Sequence, residues 1–192
     1  MKKIQLKQVL RNKRFVLFTI ILPIGWYIFF DQLQKGVSPS ILLGIAVFIG
    51  VIGNSLATFS KRIASDIGFY SFESHFTSYS VKNYLWDQSI VQLILNSLIF
   101  LAVLVVAVLG FHFPVTTSLL VQFFLLSLMG IYFSVIGFVL GVRVDAKTID
   151  TIGFPVIILA AMTIIPFDTL GASGGFMDLV GKLQRAFPGY YY

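Results

Sequence analysis

The run Ser89-Ile-Val-Gln-Leu-Ile-Leu-Asn-Ser-Leu-Ile-Phe-Leu-Ala-Val-Leu-Val-Val-Ala-Val-Leu-Gly110 contains no Asp, Glu, Lys or Arg. A helix rises about 1.5 Å per residue and a bilayer's hydrocarbon core is about 30 Å thick, so this stretch has the length and polarity of one crossing. Working outwards, residues 15–30, 40–59, 117–141 and 151–167 read the same way. The first is short and borrows length from its flanks, and the fifth has Pro155 near its start and Pro166 near its end. The expectation is an all-α integral membrane protein with five transmembrane helices in a single transmembrane domain, 1–192.

Composition points the same way. Of 192 residues, 57% are apolar and 11% charged, and the mean hydropathy is +0.91, whereas about a quarter of a soluble domain is charged. Twenty phenylalanines stand against 14 Lys and Arg and 8 Asp and Glu, which suits a fold whose outside meets lipid. With no cysteine, a disulfide framework, a thiolate metal site and a cysteine nucleophile are excluded.

The net charge of +6 is explained by its distribution. Lys2, Lys3, Lys7, Arg11, Lys13 and Arg14 precede the first apolar run, which ends at Asp31-Gln32 without a small-x-small cleavage site. That favours a retained span over a removed signal peptide. With the amino terminus inside, all but Lys35, Lys182 and Arg185 of the 14 basic residues fall on the cytoplasmic side, in keeping with the positive-inside tendency. Orientation accounts for the charge, and a nucleic-acid partner is not expected.

Three extramembrane segments carry helical patterns. Leu6, Val9 and Leu10 form a stripe among basic residues, suited to a helix along the inner interface. In the outer segment 174–188, Phe176, Leu179, Val180, Leu183 and Phe187 lie opposite Asp178, Lys182 and Arg185, the pattern of an amphipathic interfacial helix that either packs on the span ends or gates them. The third is the cytoplasmic connection 60–88, the longest internal one and rich in aromatic residues, which argues against disorder. Phe69, Phe72 and Phe76 recur at i, i+3 and i+7 and give a short helix an apolar face outside the hydrocarbon. That face needs a cover: headgroups, the cytosolic ends of the spans, or the groove of a partner protein flanked by Asp66 and Glu73.

No span holds an ionisable residue, which argues that any transport is powered from outside the bilayer. His75 and His112 fall on opposite sides, so they share neither a metal nor a triad, and no enzymatic cluster can be assembled. Gly175, Gly181 and Lys182 do not make a phosphate loop, because the glycine spacing is wrong, Leu183 replaces the Ser or Thr, and no strand precedes. The remaining span polarity is neutral. Gln88, Gln92 and Asn96 repeat every fourth residue, and Asn54, Ser55 and Thr58 occupy the inner end of the second span. Asn54, Thr58, Gln92 and Asn96 are candidates to line a substrate path; interhelical hydrogen bonding is the commoner use of such groups. Gly130, Ser134, Gly137 and Gly141 form a small-residue packing face on the fourth span, for use within the chain or between copies.

Three elements, in order along the chain, resemble the membrane-spanning subunits of bacterial ABC-2-type exporters. Leu10-Arg11-Asn12-Lys13-Arg14-Phe15 leading to Leu22-Pro23 is similar to their basic interface helix and proline-bearing first span. The stretch Glu73 to Ser80 to Tyr84-Leu85 is similar to their cytoplasmic Glu, Ser and Tyr-Leu pattern, and Phe187-Pro188-Gly189-Tyr190 to the Leu-Pro-x-Tyr element ending their external segment. Ser78 stands where the family often has Pro, and Asp87-Gln88 where it has Gly-Lys. The family normally has six spans; here five are legible, and the one that would follow the external segment is not in this sequence.

The resemblance implies a permease subunit, not itself an enzyme, in the bacterial plasma membrane. It implies a second permease subunit, identical or related, and a cytosolic ABC ATPase that alone binds ATP and magnesium. It makes Phe69, Phe72, Glu73, Phe76 and Tyr79 the ATPase contact on a coupling-type helix. The alternative expectation is a non-transporting immunity, sensor or assembly protein that docks a cytosolic partner through 60–88.

Overall fold

A computed structural model describes residues 6–7, 9–11, 16–33, 38–76, 80–162 and 174–185, without the side chains of 17, 18, 33, 69–76, 81, 82 and 176–179. Every regular element among them is helical. A π-helical turn, Leu17–Ile21, leads into α1, Leu22–Leu33. Pro23 has no N–H to give the carbonyl four residues back, and a widened turn at that point is a usual accommodation. Helix α2, Pro39–Ile52, starts with Ser38 before Pro39 at its first position, where a missing N–H costs nothing. It passes through a second π-helical turn, Gly53–Thr58, into α3, Phe59–Phe76. Gly53 and Phe59 both keep helical dihedrals, so α2 and α3 form one unbroken rod.

Helix α4, Val81–Phe111, is capped by Ser80, whose side chain accepts from the Asn83 amide at 3.3 Å. It ends with His112 at φ 53°, ψ 37°, and the Phe113 amide donates back to the Ala107 carbonyl at 3.2 Å. That is the left-handed helix stop usually given to glycine. After α5, Ser118–Arg143, the turn at Asp145 opens α6, Ala146–Met162. Asp145 accepts from the Thr148 amide at 2.9 Å and from its hydroxyl at 2.6 Å, and these bonds hold its carboxyl below the usual range. A short helix α7, Gly175–Gln184, follows Gly174 at φ 143°, a region nearly closed to residues with a Cβ. Gln184 donates to the Met162 carbonyl at the end of α6 at 2.7 Å.

Among the described residues, three helices are long and apolar enough to cross a membrane: Pro39–Gly68, Asn83–Phe111 and Ser118–Arg143. They contain most of the second, third and fourth expected spans. The first and fifth expected spans fall on the shorter helices α1 and α6, with Phe15 and 163–167 outside the described residues. The stretch 60–88, expected as a connection with a short helix in it, is helical up to Phe76 and again from Val81, with 77–79 outside the described residues.

The α2–α3 rod is the centre of the bundle. Its most apolar window is 67% buried, against 33% for α4 and 22% for α5. Towards the Phe111 end, Tyr27 of α1, Leu43 and Val47 of α2 and Ile99 and Val103 of α4 pack together. In the middle, Phe48, Ile52 and Leu56 meet Met129 and Phe133 of α5. Towards the basic end, Phe59 and Ile63 meet Tyr84, and a Lys61–Asp150 ion pair ties α3 to α6. Leu6, Lys7, Val9 and Leu10 have helical backbone, and Val9 packs on Val91 and Leu95 of α4. The outward face of α5, with Leu120, Phe124, Ile131, Val135 and Val139 exposed, is a lipid-facing surface in composition.

Candidate functional site

The second π-helical turn is where the bundle's neutral polar side chains converge. Asn54 and Ser55 project from it, Gln92 and Asn96 come from α4, and Gly130 and Ser134 from α5. Asn54 Nδ2 donates to Asn96 Oδ1 at 2.8 Å, and Gln92 Nε2 donates to Ser55 Oγ at 3.2 Å and to Asn96 Oδ1 at 3.4 Å. Ser55 Oγ donates to the Gly130 carbonyl at 3.3 Å, while Ser134 Oγ reaches the same carbonyl at 2.6 Å and Ser55 Oγ at 3.3 Å. Three helices are thus sewn together by one polar seam. Of the residues singled out in the sequence as a path, Asn54, Gln92 and Asn96 are brought together; Thr58, half-buried at the end of the turn, stands outside this hydrogen-bonded group.

Glycine makes the seam possible. A Cβ on Gly137 would fall inside contact distance of the Ser55 carbonyl oxygen, one on Gly141 inside that of the Ser60 carbonyl, and one on Gly130 inside that of Asn96 Nδ2. The small-residue face of α5 is therefore used within the chain, against the rod and α4. Close approach is what lets side chains as short as serine bridge from helix to helix.

The seam is not self-sufficient. Gln88, Gln92 and Asn96 are 1%, 2% and 3% exposed, yet Gln88 Oε1 and Nε2, Gln92 Oε1, Asn96 Nδ2 and Asn54 Oδ1 have no hydrogen-bond partner. Each such group costs about 1–3 kcal/mol unless something satisfies it. Gln88, Ser89, Gln92, Asn96 and Ser134 form the polar side of a cavity of about 320 Å³ between α4 and α5, walled by apolar side chains including Leu85 and Val135. Leu85 is 38% and Val135 62% exposed, so the cavity lies at the flank of the bundle. Among the described residues no ionisable side chain lines it.

Sequence reading did not single out Arg62. Its guanidinium lies 5.1 Å from the centre of the Phe59 ring, and its three nitrogens are covered without a hydrogen-bond partner. The signal was present in Arg62 and Asp66, one turn apart, but the ring that covers the charge is supplied by the helix's own preceding turn. The coupling-type residues fall at the far end of α3. Phe69, Phe72, Glu73 and Phe76 are on the helix, their side chains outside those described, and Tyr79 lies outside the described residues altogether.

Among the described residues no three His, Cys, Asp or Glu gather as a metal site. The chemistry the seam offers is hydrogen bonding by neutral donors and acceptors in an apolar setting. No family model, no curated protein and no solved structure matches the chain.

Proposed function

We propose that this chain is the membrane-spanning permease subunit of an ATP-driven ABC-2-type exporter. It lies in a bacterial plasma membrane with its amino terminus in the cytoplasm and crosses five times, α1 and α6 completing the set. A second permease subunit and a cytosolic ABC ATPase complete the machine, and ATP is hydrolysed by the latter.

The observation that carries the reading is the unbroken rod from Pro39 to Phe76. Its aromatic end, bearing Phe69, Phe72 and Phe76, extends about 27 Å beyond Thr58. Its other half is the most buried helix of the bundle and carries Asn54 and Ser55 into the polar seam. A partner that grips the aromatic end moves the seam directly, since a helix transmits displacement along its axis. The π-helical turn sits where such a push reaches the polar residues, and single π turns are common at functional positions.

The test is affinity purification from membranes of the source bacterium. An ABC ATPase is expected to accompany the wild-type chain, and Phe72→Asp or Phe76→Asp to lose it by about tenfold or more, as for removal of an interface anchor, while both variants still insert. Equal recovery of the ATPase with both variants, or recovery of a non-ATPase cytosolic protein in its place, contradicts the reading.

A further inference from the structure

We infer that the cavity between α4 and α5 is a binding site for an uncharged, hydrogen-bonding amphiphile, entered sideways from the bilayer. The inference goes beyond the transport reading and stands whether or not an ATPase drives the chain.

The cavity is bordered by unsatisfied amides. Gln88 offers a free donor and a free acceptor, Gln92 a free acceptor and Asn96 a free donor, on residues at most 3% exposed that line the cavity. Spaced at i, i+4 and i+8, they form a ladder about 12 Å long on one face of α4. A ligand head that both donates and accepts matches all of them. A charged head finds no counter-charge among the described lining residues, and Arg62, over the Phe59 ring, is not one of them.

The walls decide what is attached to that head. Leu85, Leu93, Ile131, Val135 and Phe138 surround the amides with hydrocarbon, and Ile131 and Val135 are 47% and 62% exposed on the bundle's outer flank. The volume of about 320 Å³ lies at the lower end of ligand pockets. It holds a small polar head and the first carbons of a chain, while the rest of the chain stays among lipid. A second copy is a poorer occupant. The exposed large side chains of α4 and α5 in this region, Ile94, Leu101, Phe124, Leu128, Ile131 and Val135, bring no partner for the amides.

The probe is a monoacylglycerol carrying a photoreactive diazirine on its first chain carbons, added to the full chain reconstituted in nanodiscs. Parallel samples receive a diazirine fatty acid, whose head is charged, or a diazirine alkane, which has no head. The monoacylglycerol is expected to label peptides covering 85–96 and 131–138, and unlabelled monoolein to compete and to raise the thermal midpoint. Gln88→Leu with Gln92→Leu is expected to cut labelling about tenfold, the worth of one net hydrogen bond. Val135→Trp, which fills the cavity from its exposed wall and leaves the amides alone, is expected to abolish labelling with the fold intact. Equal labelling by the alkane, or stronger labelling by the fatty acid, overturns the inference. So does labelling that Val135→Trp leaves unchanged. Because the chain has no cysteine, Val135→Cys supplies a last arm: quantitative disulfide-linked dimer that excludes the probe would make the occupant a second copy and overturn it as well.

Discussion

At Gly137 the distance between two helices is set by the absence of one methyl group. The carbonyl oxygen of Ser55 and the hydroxyl of Ser60 occupy the space a Cβ would need, and backbone on the facing rod cannot rotate aside. Gly137→Ala is expected to lower stability by about 1–3 kcal/mol, as overpacking does. Gly25→Ala, where nothing lies within 4 Å of the added atom, is expected to be neutral or to stabilise by about 0.5–1 kcal/mol through helix propensity. Thermal unfolding of both variants in the same detergent checks the pair; equal midpoints would show that the helices are not in close contact at Gly137. Residues of this kind were legible in the sequence as a class. Spacing put Gly130, Ser134, Gly137 and Gly141 on one face, and amide repetition put Gln88, Gln92 and Asn96 on another. Which atoms they meet was not legible, because Ser55 enters the seam only through the turn that the rod makes at 53–58. Arg62 was hidden for a related reason. A cation in sequence beside Lys61 reads as solvated, and its cover by Phe59 depends on a helix that continues past the apolar run.

At the scale of elements, three long spans could be read from apolar runs because lipid leaves a helix no alternative to about 20 uncharged residues. The continuation of the rod into 60–76 could not, since Lys61, Arg62 and Asp66 interrupt the hydropathy that marks a span while leaving backbone hydrogen bonding free to propagate. Helix starts have their own chemistry, and α6 shows it. The Asp145 carboxyl is held below its ordinary range chiefly by the Thr148 hydroxyl and then by the Thr148 amide. A carboxyl depressed in the folded state contributes stability above its unfolded value, about 3.9, and loses that contribution as pH falls through the folded value. Protection of the Thr148 amide against hydrogen exchange, relative to the unfolded chain at the same pH, is therefore expected to be high at neutral pH and to fall as pH drops below about 4 and through the folded value. In Asp145→Ala protection is expected to be low throughout, and in Asp145→Asn high and independent of pH, since Asn caps without titrating. An unchanged rate in Asp145→Ala would show that this cap does not hold the first turn of α6.

For the whole molecule, the fold is a bundle with one buried rod and a sparsely covered flank. The rod joins the aromatic end of α3 to the polar seam, and the seam leaves amides unsatisfied towards a cavity on the flank. Those three features together fit the proposed externally driven machine for amphiphiles, which needs a grip, a transmitting element and a polar foothold among apolar walls. In the proposed orientation, the basic residues Lys61, Arg143 and Lys147 face the inner leaflet. The grip is the part on which the rest depends, and a chain without cysteine allows it to be probed at one atom. On the proposed reading, in native membranes a single Ser78→Cys should react with a membrane-impermeant maleimide only from the cytoplasmic face, in everted vesicles, and only after peripheral proteins have been stripped away. Readdition of the ABC ATPase should restore protection. Labelling from the outer face, or equal labelling with and without the ATPase, would contradict the account.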